Sequence, residues 1–493
     1  MGQTIDTGHK LEWPPHPHPH HMACTGISLG AIVLCLLAWA GQAASDRVYI
    51  HPFHLLTFNK SICEELEKTH EEGPPELNVT PVPIQVKSPP VDEKALWIQL
   101  ASAVENLGKE DRLKALGVGI LINLKGLHMY SRLSKTWNKS HVFSPVAYFG
   151  TLASFYLGAL DPTASKLQAF LGVPAEDQSC TSRLDGHKLF SILQTIQGCL
   201  VSKGKEHDNA QLFLTTVMGL FTAPDLQVKE SFVQGLAPFA SVTLLRSLDL
   251  SNPDLAAEKI TSFIQAVTGW KMSPPLAGFS PDSTLLFNTL VHFQGVMKGF
   301  SLLPEPQEFW VDSNTTVSVP MLSGIGTFQH WDVARYGFSV TRVPLSEYTY
   351  LLLIQPKNPS DLKKVETYTF QTDFLNRKKN LAPRAVHLTM PQLMLEDSYD
   401  LQDLLTQARL PTLLDSGAQL GKISDTKLIL GKALTSILFE LKASQRPPEA
   451  SQQPSMPKAL EVTLNHPFLF AICEQRAATI HMLGRVINPQ HRV

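Results

Sequence analysis

Two adjacent leucines near the amino terminus, Leu55 and Leu56, lie where a protease could cut the chain. Aspartic proteases bind their substrates as extended strands across a long cleft and favour large apolar residues on both sides of the cut. Val48–Ile50 favours extended backbone, and His51 is kept out of the helical region because Pro52 follows it. Leu55 and Leu56 supply such an apolar pair, so the residue types suit hydrolysis of the bond between them. The alternative is an edge strand of the folded body, which Pro52 and the terminal position disfavour.

No catalytic motif accompanies this bond. The sequence has no glycine-rich phosphate loop in a strand-to-helix context, no HExxH and no GxSxG. Its histidines show no ligand spacing, because Pro52 between His51 and His54 argues against a helix that would bring the two rings together. We therefore expect neither an enzyme nor a metal or other cofactor.

The segment that precedes the cleavable run is typical of a signal peptide. An apolar stretch, Ile27–Trp39, is too short to span a bilayer, and the small residues Ala43–Ser45 follow it as a signal-peptidase site. Cleavage there would make Asp46 the mature amino terminus. Since no later run reaches the length of a membrane helix, the sequence predicts a secreted, extracellular protein without a membrane anchor.

The remaining chain has the composition of a packed globular protein. About 450 residues remain, enough for one large domain or for two or three of roughly 150 residues each. Hydrophobic residues make up 43% and charged residues 17% of the sequence. The formal net charge of −2 gives no reason to expect nucleic acid or anionic lipid as a partner.

Cysteines and glycosylation sequons fit a secretory route. Four cysteines of the mature chain are too few for a disulfide-built scaffold, and none has CxxC spacing for zinc: Cys63, Cys180, Cys199 and Cys473. The residues alone leave three full pairings open. Cys199 follows an apolar helical pattern and Cys473 lies in an apolar run, so both are expected to be core thiols. N-glycosylation is predicted at Asn59, Asn78, Asn138 and Asn314.

Two kinds of segment must position the cleavable run. Residues 56–92 are interrupted by six prolines and are expected to be extended and mobile: Pro74, Pro75, Pro81, Pro83, Pro89 and Pro90. Apolar residues at helical spacing then predict one helix face: Leu113, Leu116, Ile120, Leu121, Leu124 and Leu127. Ser144 and Pro145 begin a second apolar segment, whose small residues would let another element approach closely.

Strand-like runs follow at residues 212–220, 349–354 and 385–390. Residues 467–486 predict a hairpin, and both of its strands should be buried because Phe468–Ile472 and Ile480–Leu483 are apolar on both faces. Helical and strand segments are mixed without a regular βαβ repeat, which favours an α+β fold.

Three motifs in these segments resemble the serpin family, and the resemblance covers nearly all of residues 96–493. They are Asn288–Gly295, Leu388–Pro391 with Tyr399–Leu401, and Asn465–Phe470 with Leu483–Pro489. The resemblance implies an α+β serpin fold with three β-sheets, eight or nine helices and an exposed reactive-type loop, preceded here by an extended tail. The expected divisions are a leader and signal peptide (1–45), a peptide (46–55), a proline-rich extension (56–95) and a serpin domain (96–493).

The amino-terminal run carries a second resemblance. Letter for letter it is similar to the decapeptide hormone angiotensin I: Asp46, Arg47, Val48, Tyr49, Ile50, His51, Pro52, Phe53, His54 and Leu55. The resemblance implies that renin cuts Leu55–Leu56 and that angiotensin-converting enzyme then cuts Phe53–His54. The product Asp46–Phe53 would act on angiotensin receptors as a vasoconstrictor that regulates blood pressure and salt balance. The chain would be a monomer whose serpin body presents the tail.

The loop hinge bears on whether the body also inhibits proteases. Inhibitory serpins insert the cut loop as a new central strand, which needs a backbone amide at each ladder position and small side chains. The strand before the hinge matches at Ile437–Leu441, but the family's hinge glycine falls at Gln445 and its alanine run at Pro447 and Pro448. Each lost hydrogen bond costs about 1 kcal/mol net, and each orphaned carbonyl about 1–3 kcal/mol. The expected body is non-inhibitory; the alternatives are an inhibitory serpin and a hormone-carrier serpin.

The resemblance also implies a disulfide. In the related peptide precursors two matching cysteines pair, which corresponds here to Cys63–Cys180. Such a bond closes a long loop and stabilises by up to about 4–5 kcal/mol in the chain-entropy model. A bond between an exposed loop and a mobile tail should also be easy to reduce. It is either a redox switch that controls cleavage of Leu55–Leu56 or a simple staple.

Overall fold

The computed structural model describes residues 76–173, 184–201, 212–272, 276–371, 382–407, 414, 416–444 and 459–490. Several predicted site residues lie outside these ranges: Asp46–Leu55, Leu56, Asn59, Cys63, Cys180, Gln445, Pro447 and Pro448. The described residues include the body of the protein and both sides of the predicted loop.

Nine α-helices lie in the described residues: α1 (Glu93–Ser102), α2 (Lys109–Leu133), α3 (Pro145–Gly158), α4 (Thr163–Leu171), α5 (Gly186–Val201), α6 (Glu230–Leu236), α7 (Pro253–Thr268), α8 (Leu362–Gln371) and α9 (Leu401–Gln407). The start of α3 follows from local sequence, since Ser144 Oγ accepts a hydrogen bond from the amide of Ala147 over 3.1 Å and Pro145 needs no amide partner. The second predicted apolar segment is therefore a helix.

The strands are β1 (Asn78–Val79), β2 (Val82–Pro83), β3 (His141–Phe143), β4 (Leu212–Thr222), β5 (Val228–Lys229), β6 (Val242–Ser247), β7 (Leu285–Met297), β8 (Phe300–Leu302), β9 (Gln307–Trp310), β10 (Thr316–Val319), β11 (Met321–Val333), β12 (Phe338–Pro344), β13 (Thr349–Pro356), β14 (Ala382–Pro391), β15 (Leu393–Asp400), β16 (Leu430–Ala443), β17 (Leu460–Thr463), β18 (Phe468–Glu474) and β19 (Thr479–Val486). The runs predicted as strands coincide with β4, β13 and β14.

The central sheet has six strands in the order β15-β16-β7-β4-β6-β2. The motif Asn288–Gly295 lies within β7, which pairs antiparallel with β4 and parallel with β16. The parallel pairing runs from Leu430 opposite Leu285 to Ala443 opposite Met297. We call the parallel pairing of β7 with β16 the seam. The predicted loop follows β16 directly in sequence, so the seam leads to the loop.

The second large sheet has nine strands and includes the predicted hairpin. Its strand β11 pairs with β14 over residues 321–330 and with β12 over residues 329–333. Because β11 pairs with both β14 and β12, the second and third expected sheets form one continuous sheet. The remaining described strands form two short ribbons, β1–β5 and β9–β10. The predicted α+β fold class is confirmed.

The apolar face of α2 differs from the predicted one. The helix exists, but Leu113 and Leu124 are 56% and 47% exposed. Its buried face contains Gly119 and Gly126, where an added Cβ would overlap the backbone of Ala477 and the ring of Pro145. Small residues therefore decide which side of α2 packs against the body, and the leucine spacing does not.

The carboxyl-terminal motif forms the buried β18–β19 hairpin, as predicted. Arg485 in this hairpin is 3% exposed and pairs with Glu366 of α8 over 3.2 Å. The hydroxyl of Tyr130 donates to the same carboxylate over 2.6 Å. Arg485 also donates to the carbonyls of Ser134 and Trp137. The motif's arginine thus ties the hairpin to two helices.

We predict that Glu366→Ala lowers the free energy of unfolding by about 3–5 kcal/mol, because it leaves the buried Arg485 without its counter-charge. Urea unfolding at pH 7 measures the change. Asp332→Ala is the control: its pair with Lys357 spans 2.9 Å but is half exposed, so the loss should stay below about 1 kcal/mol. Equal losses in the two variants would contradict the assignment.

Candidate functional site

We call residues 76–92 the tail segment, because they connect the amino-terminal tail to the first long helices of the body. The tail segment is attached to the body from its first described residue. Glu76 pairs with Lys229 over 2.8 Å and accepts a hydrogen bond from the hydroxyl of Ser231. Lys229 also pairs with Asp425 over 3.0 Å, so one half-buried cation joins the tail segment to the body. Asn78 lies opposite Lys229 in the β1–β5 ribbon. The tail segment is therefore held at its outer end by both charge and backbone pairing.

The prolines of this segment follow the edge of the central sheet. Val82 and Pro83 pair parallel with β6, and the amide of Ile84 donates to the carbonyl of Ser247 over 3.0 Å. Further on, the amide of Val91 donates to the carbonyl of Val267 over 2.8 Å. Proline is tolerated here because an edge strand has one side on which no amide is needed. Residues 76–92 are largely extended, with a turn at residues 84–86, and the expectation that they are mobile does not hold for the parts that are hydrogen-bonded to the body.

The inner end of the segment is the start of α1, where Asp92 caps the helix by accepting a hydrogen bond from the amide of Ala95 over 3.0 Å. Glu93 turns toward the central sheet. Its Oε1 accepts hydrogen bonds from Trp270 Nε1 over 3.1 Å and from His292 Nδ1 over 2.7 Å. The first helix after the tail is thereby connected to β7.

The connection continues across the seam to the strand that leads to the loop. His292 Nε2 lies 3.8 Å from Glu440 Oε1 on β16, a distance at which the contact is electrostatic and not a hydrogen bond. Glu440 in turn pairs with Lys442, whose Nζ donates to Gln294 Oε1 over 3.2 Å. We call Glu93, His292, Glu440 and Lys442 the ion chain, because their charges alternate in sign along it.

Electrostatics favour the charged state of both central members of the ion chain. Burial alone would lower the pKa of His292, but the flanking carboxylates of Glu440 and Glu93 raise it to about 9. Burial alone would raise the pKa of Glu440, but His292 and Lys442 lower it to about 2. His292 is thus a buried cation between two carboxylates at neutral pH.

The middle of the seam is bridged by hydroxyl groups. Thr151 of α3 lies 2.8 Å from the hydroxyl of Thr289 on β7 and 3.2 Å from that of Thr435 on β16. It donates its own proton to the carbonyl of Ala147, so the other two hydroxyls donate to it. On the opposite face of the sheet, Ser436 donates to Asn288 over 3.2 Å. The two seam strands are therefore joined by side chains as well as by their ladder.

The remaining predicted site residues fall at separate places. Asn78, Asn138 and Asn314 are exposed, as glycosylation acceptors must be. Cys199 and Cys473 are both buried, and burial raises the pKa of each thiol to about 12. Both are core thiols, as predicted.

Sequence reasoning missed the ion chain. Its one visible signal was His292, an ionisable residue in the otherwise apolar strand motif. The partner Glu93 is 199 positions away in sequence, and nothing local marks it. None of the described helices is both long enough and apolar enough to cross a membrane.

Comparison with known proteins agrees with this geometry. The family model of the serpins (serine protease inhibitors) matches residues 123–489. Human thyroxine-binding globulin, solved with its thyroxine, superposes with a TM-score of 0.62 at 19% identity, over 76% of this chain and 100% of its own. The mouse protein-Z dependent protease inhibitor superposes with the same score at 18% identity, over 81% and 100%. The chain belongs to the serpin family.

Within that family the chain is similar to the angiotensinogens. It is 63% identical to angiotensinogen of Bos taurus and 58% identical to that of Homo sapiens, in each case over 95% of this chain and 99% of the relative. It is 55% identical to angiotensinogen of Rattus norvegicus, over 96% and 100%. These similarities support a precursor role on a serpin scaffold.

We predict that the stabilising effect of the ion chain is largest between about pH 4.5 and 6.5. His292 has a raised pKa, so its contribution is complete below its ordinary value of 6.5 and is lost as pH rises through about 9. Glu440 has a lowered pKa, so its contribution is present above its ordinary value of 4.5 and is lost as pH falls through about 2. The measurement is the unfolding free energy of the wild type minus that of His292→Gln, from pH 3 to 10.

The control for this measurement is His387→Gln. His387 pairs with the exposed Glu461 over 2.9 Å, and its loss should change the free energy of unfolding by less than about 1 kcal/mol. A difference between wild type and His292→Gln that is constant across the pH range would contradict the prediction.

Proposed function

We propose that the protein is a secreted precursor of angiotensin peptides, cut by renin between Leu55 and Leu56. Water adds across that peptide bond, which leaves a carboxylate on Leu55 and an amine on Leu56. The observation that carries the proposal is the run Asp46–Leu55, letter for letter similar to angiotensin I, in a chain closely similar to angiotensinogens. Angiotensin-converting enzyme would then cut Phe53–His54, and Asp46–Phe53 would act on angiotensin receptors.

The described body supports a presenting role. The segment that leads back from the cleavable bond is bound to the body at Glu76, along the sheet edge at Val82–Ile84 and at the start of α1. The segment is therefore fixed on the body from its first described residue, Glu76.

The hinge and the seam support a non-inhibitory body. The strands β7 and β16 are paired along their whole length and bridged by Thr151, so a strand inserted between them must break both sets of contacts. Pro447 and Pro448 remove two amide donors from the segment that would insert. The other serpin roles, inhibition of a serine protease and carriage of a hormone, are supported by no specific contact among the described residues.

We also propose a Cys63–Cys180 disulfide. The proposal rests on the resemblance to related peptide precursors, in which the two matching cysteines pair, while Cys199 and Cys473 are both buried in the core of this body. Cys63 follows the cleavable bond by only a few residues, so a bond there would constrain how Leu55–Leu56 is presented.

The mature protein should release Asp46–Leu55 when treated with renin, and Leu55→Pro or Leu55→Asp should abolish the release, because the cleft needs an extended apolar residue before the cut. Mass spectrometry of the digest identifies the products. Leu77→Asp, at an exposed leucine of the attached segment, is the matched control and should leave cleavage intact. A main cut elsewhere than after Leu55 would refute the site.

Cleavage of the loop between Ala443 and Lys458 should raise the melting temperature only slightly, because the two prolines oppose strand insertion. Replacing Pro447 and Pro448 by alanine should increase that rise, since two ladder amides are restored. Thermal unfolding before and after limited proteolysis measures both. A large gain in the wild type, or a protease complex that survives detergent, would instead identify an inhibitor.

Peptide mapping without reduction should find Cys63 joined to Cys180. If the bond is a switch, the rate of renin cleavage should fall after mild reduction, because the tail would lose one of its constraints. The variant Cys199→Ser should show the same dependence on reduction as the wild type. Equal cleavage rates before and after reduction would mean that the disulfide is only a structural cross-link. A bond from Cys63 or Cys180 to Cys199 or Cys473 would overturn the proposed pairing.

A further inference from the structure

The ion chain joins two functional segments that are far apart in sequence. One end, Glu93, lies in the first turn of the helix that follows the tail segment. The other end, Lys442, lies one residue before the end of the strand that leads to the loop. His292 on β7 contacts carboxylates from both segments. The connection therefore runs from tail to loop through one imidazole ring.

The burial of the ion chain makes its members dependent on one another. The side chains of His292 and Glu440 are 8% and 7% exposed, so neither charge has enough water to replace a lost partner. Removing one partner of a buried ion pair leaves the other charge uncompensated, which is far more costly than removing an exposed charge. A change at Glu440 must therefore alter the interaction between His292 and Glu93, although no contact joins Glu440 and Glu93 directly among the described residues.

The charged and polar groups that face His292 come from three places. Glu93 approaches from α1, and Glu440 from β16 with its partner Lys442 behind it. The indole of Trp270, which follows α7, lies 5.2 Å from the imidazole ring and donates to Glu93. Each of these groups either bears a charge or orients one, so carboxylates from both α1 and β16 hold the ring in position.

We propose that the ion chain couples the loop strand to the tail-bearing segment and that His292 is a positioning residue for cleavage of the tail. The inference rests on the function proposed above. When the end of β16 shifts, Glu440 moves away from His292, and the buried ring loses one of the two carboxylates that favour its protonated form. A neutral ring holds Glu93 only by a hydrogen bond and no longer by an ion pair, so the hold on Glu93 weakens. The start of α1 loosens, and the tail is presented less favourably. The bond that is cut is unchanged, so the effect falls on substrate binding and not on the chemical step.

The first test needs no protease. Amide hydrogen exchange, followed by mass spectrometry, is compared in the intact mature protein for the wild type, Glu440→Gln and Lys432→Gln. Lys432 lies at the opposite end of the same strand, 4.0 Å from Asp400, and is the matched control. Glu440→Gln should accelerate exchange over residues 94–102 by about threefold or more, and Lys432→Gln should not. Unchanged exchange there in Glu440→Gln overturns the coupling.

The second test uses renin. Glu93→Gln and Glu440→Gln should each raise KM for release of Asp46–Leu55 with kcat unchanged, and the double variant should raise it by less than the product of the single effects, because both act through His292. Multiplicative effects, or a lower kcat at constant KM, overturn the positioning role. If renin does not cut the wild type after Leu55, the proposed function fails, while the exchange measurement still decides the coupling.

Discussion

The parallel pairing of β7 with β16 is the constraint on which the rest of the structure depends. It joins the middle of the central sheet to the strand that leads to the loop, and both neighbouring layers are built on it. Phe439 stacks on its register partner Phe293 at 5.3 Å, and on its other side it stacks on Phe470 of the β18–β19 hairpin at 4.8 Å. One aromatic column thus carries the seam into the second sheet, so separating the two strands would disturb both sheets.

The two faces of the seam use different chemistry. Toward α3 it is bridged by the three threonine hydroxyls of residues 151, 289 and 435, which satisfy one another without charge. On the other face, near the end that leads to the loop, it is bridged by the ion chain. Neutral hydrogen bonds tolerate changes in pH, whereas the ion chain depends on His292 being charged. The middle of the seam is therefore insensitive to conditions that weaken the end nearest the loop.

Local patterns predicted the elements better than they predicted contacts between them. The hairpin Phe468–Val486 was predictable because both strands are continuous apolar runs, which leave few alternatives to burial on both faces. The buried face of α2 was not predictable in this way. Gly119 and Gly126 pack closely against the body on a side of the helix that the leucine spacing assigned to solvent. Glu93 could not be matched to His292, since a contact across 199 positions depends on the packing of the whole sheet. For the same reason, the prolines of residues 76–92 indicated extended backbone but not the sheet edge to which it binds.

Buried charges are a costly way to fill the space beside the loop strand, and the chemistry of the ion chain indicates that it contributes positional specificity as well as stability. Apolar side chains of similar volume often stabilise a buried site as well as a paired set of charges does. Apolar contacts, however, tolerate sliding, whereas a charge between two carboxylates has one favourable position. Charges from Glu93, His292 and Glu440 therefore specify the relative position of three segments, and the segment that carries the tail is one of them. This precision fits the scaffold role proposed above, in which one peptide bond is offered to a protease.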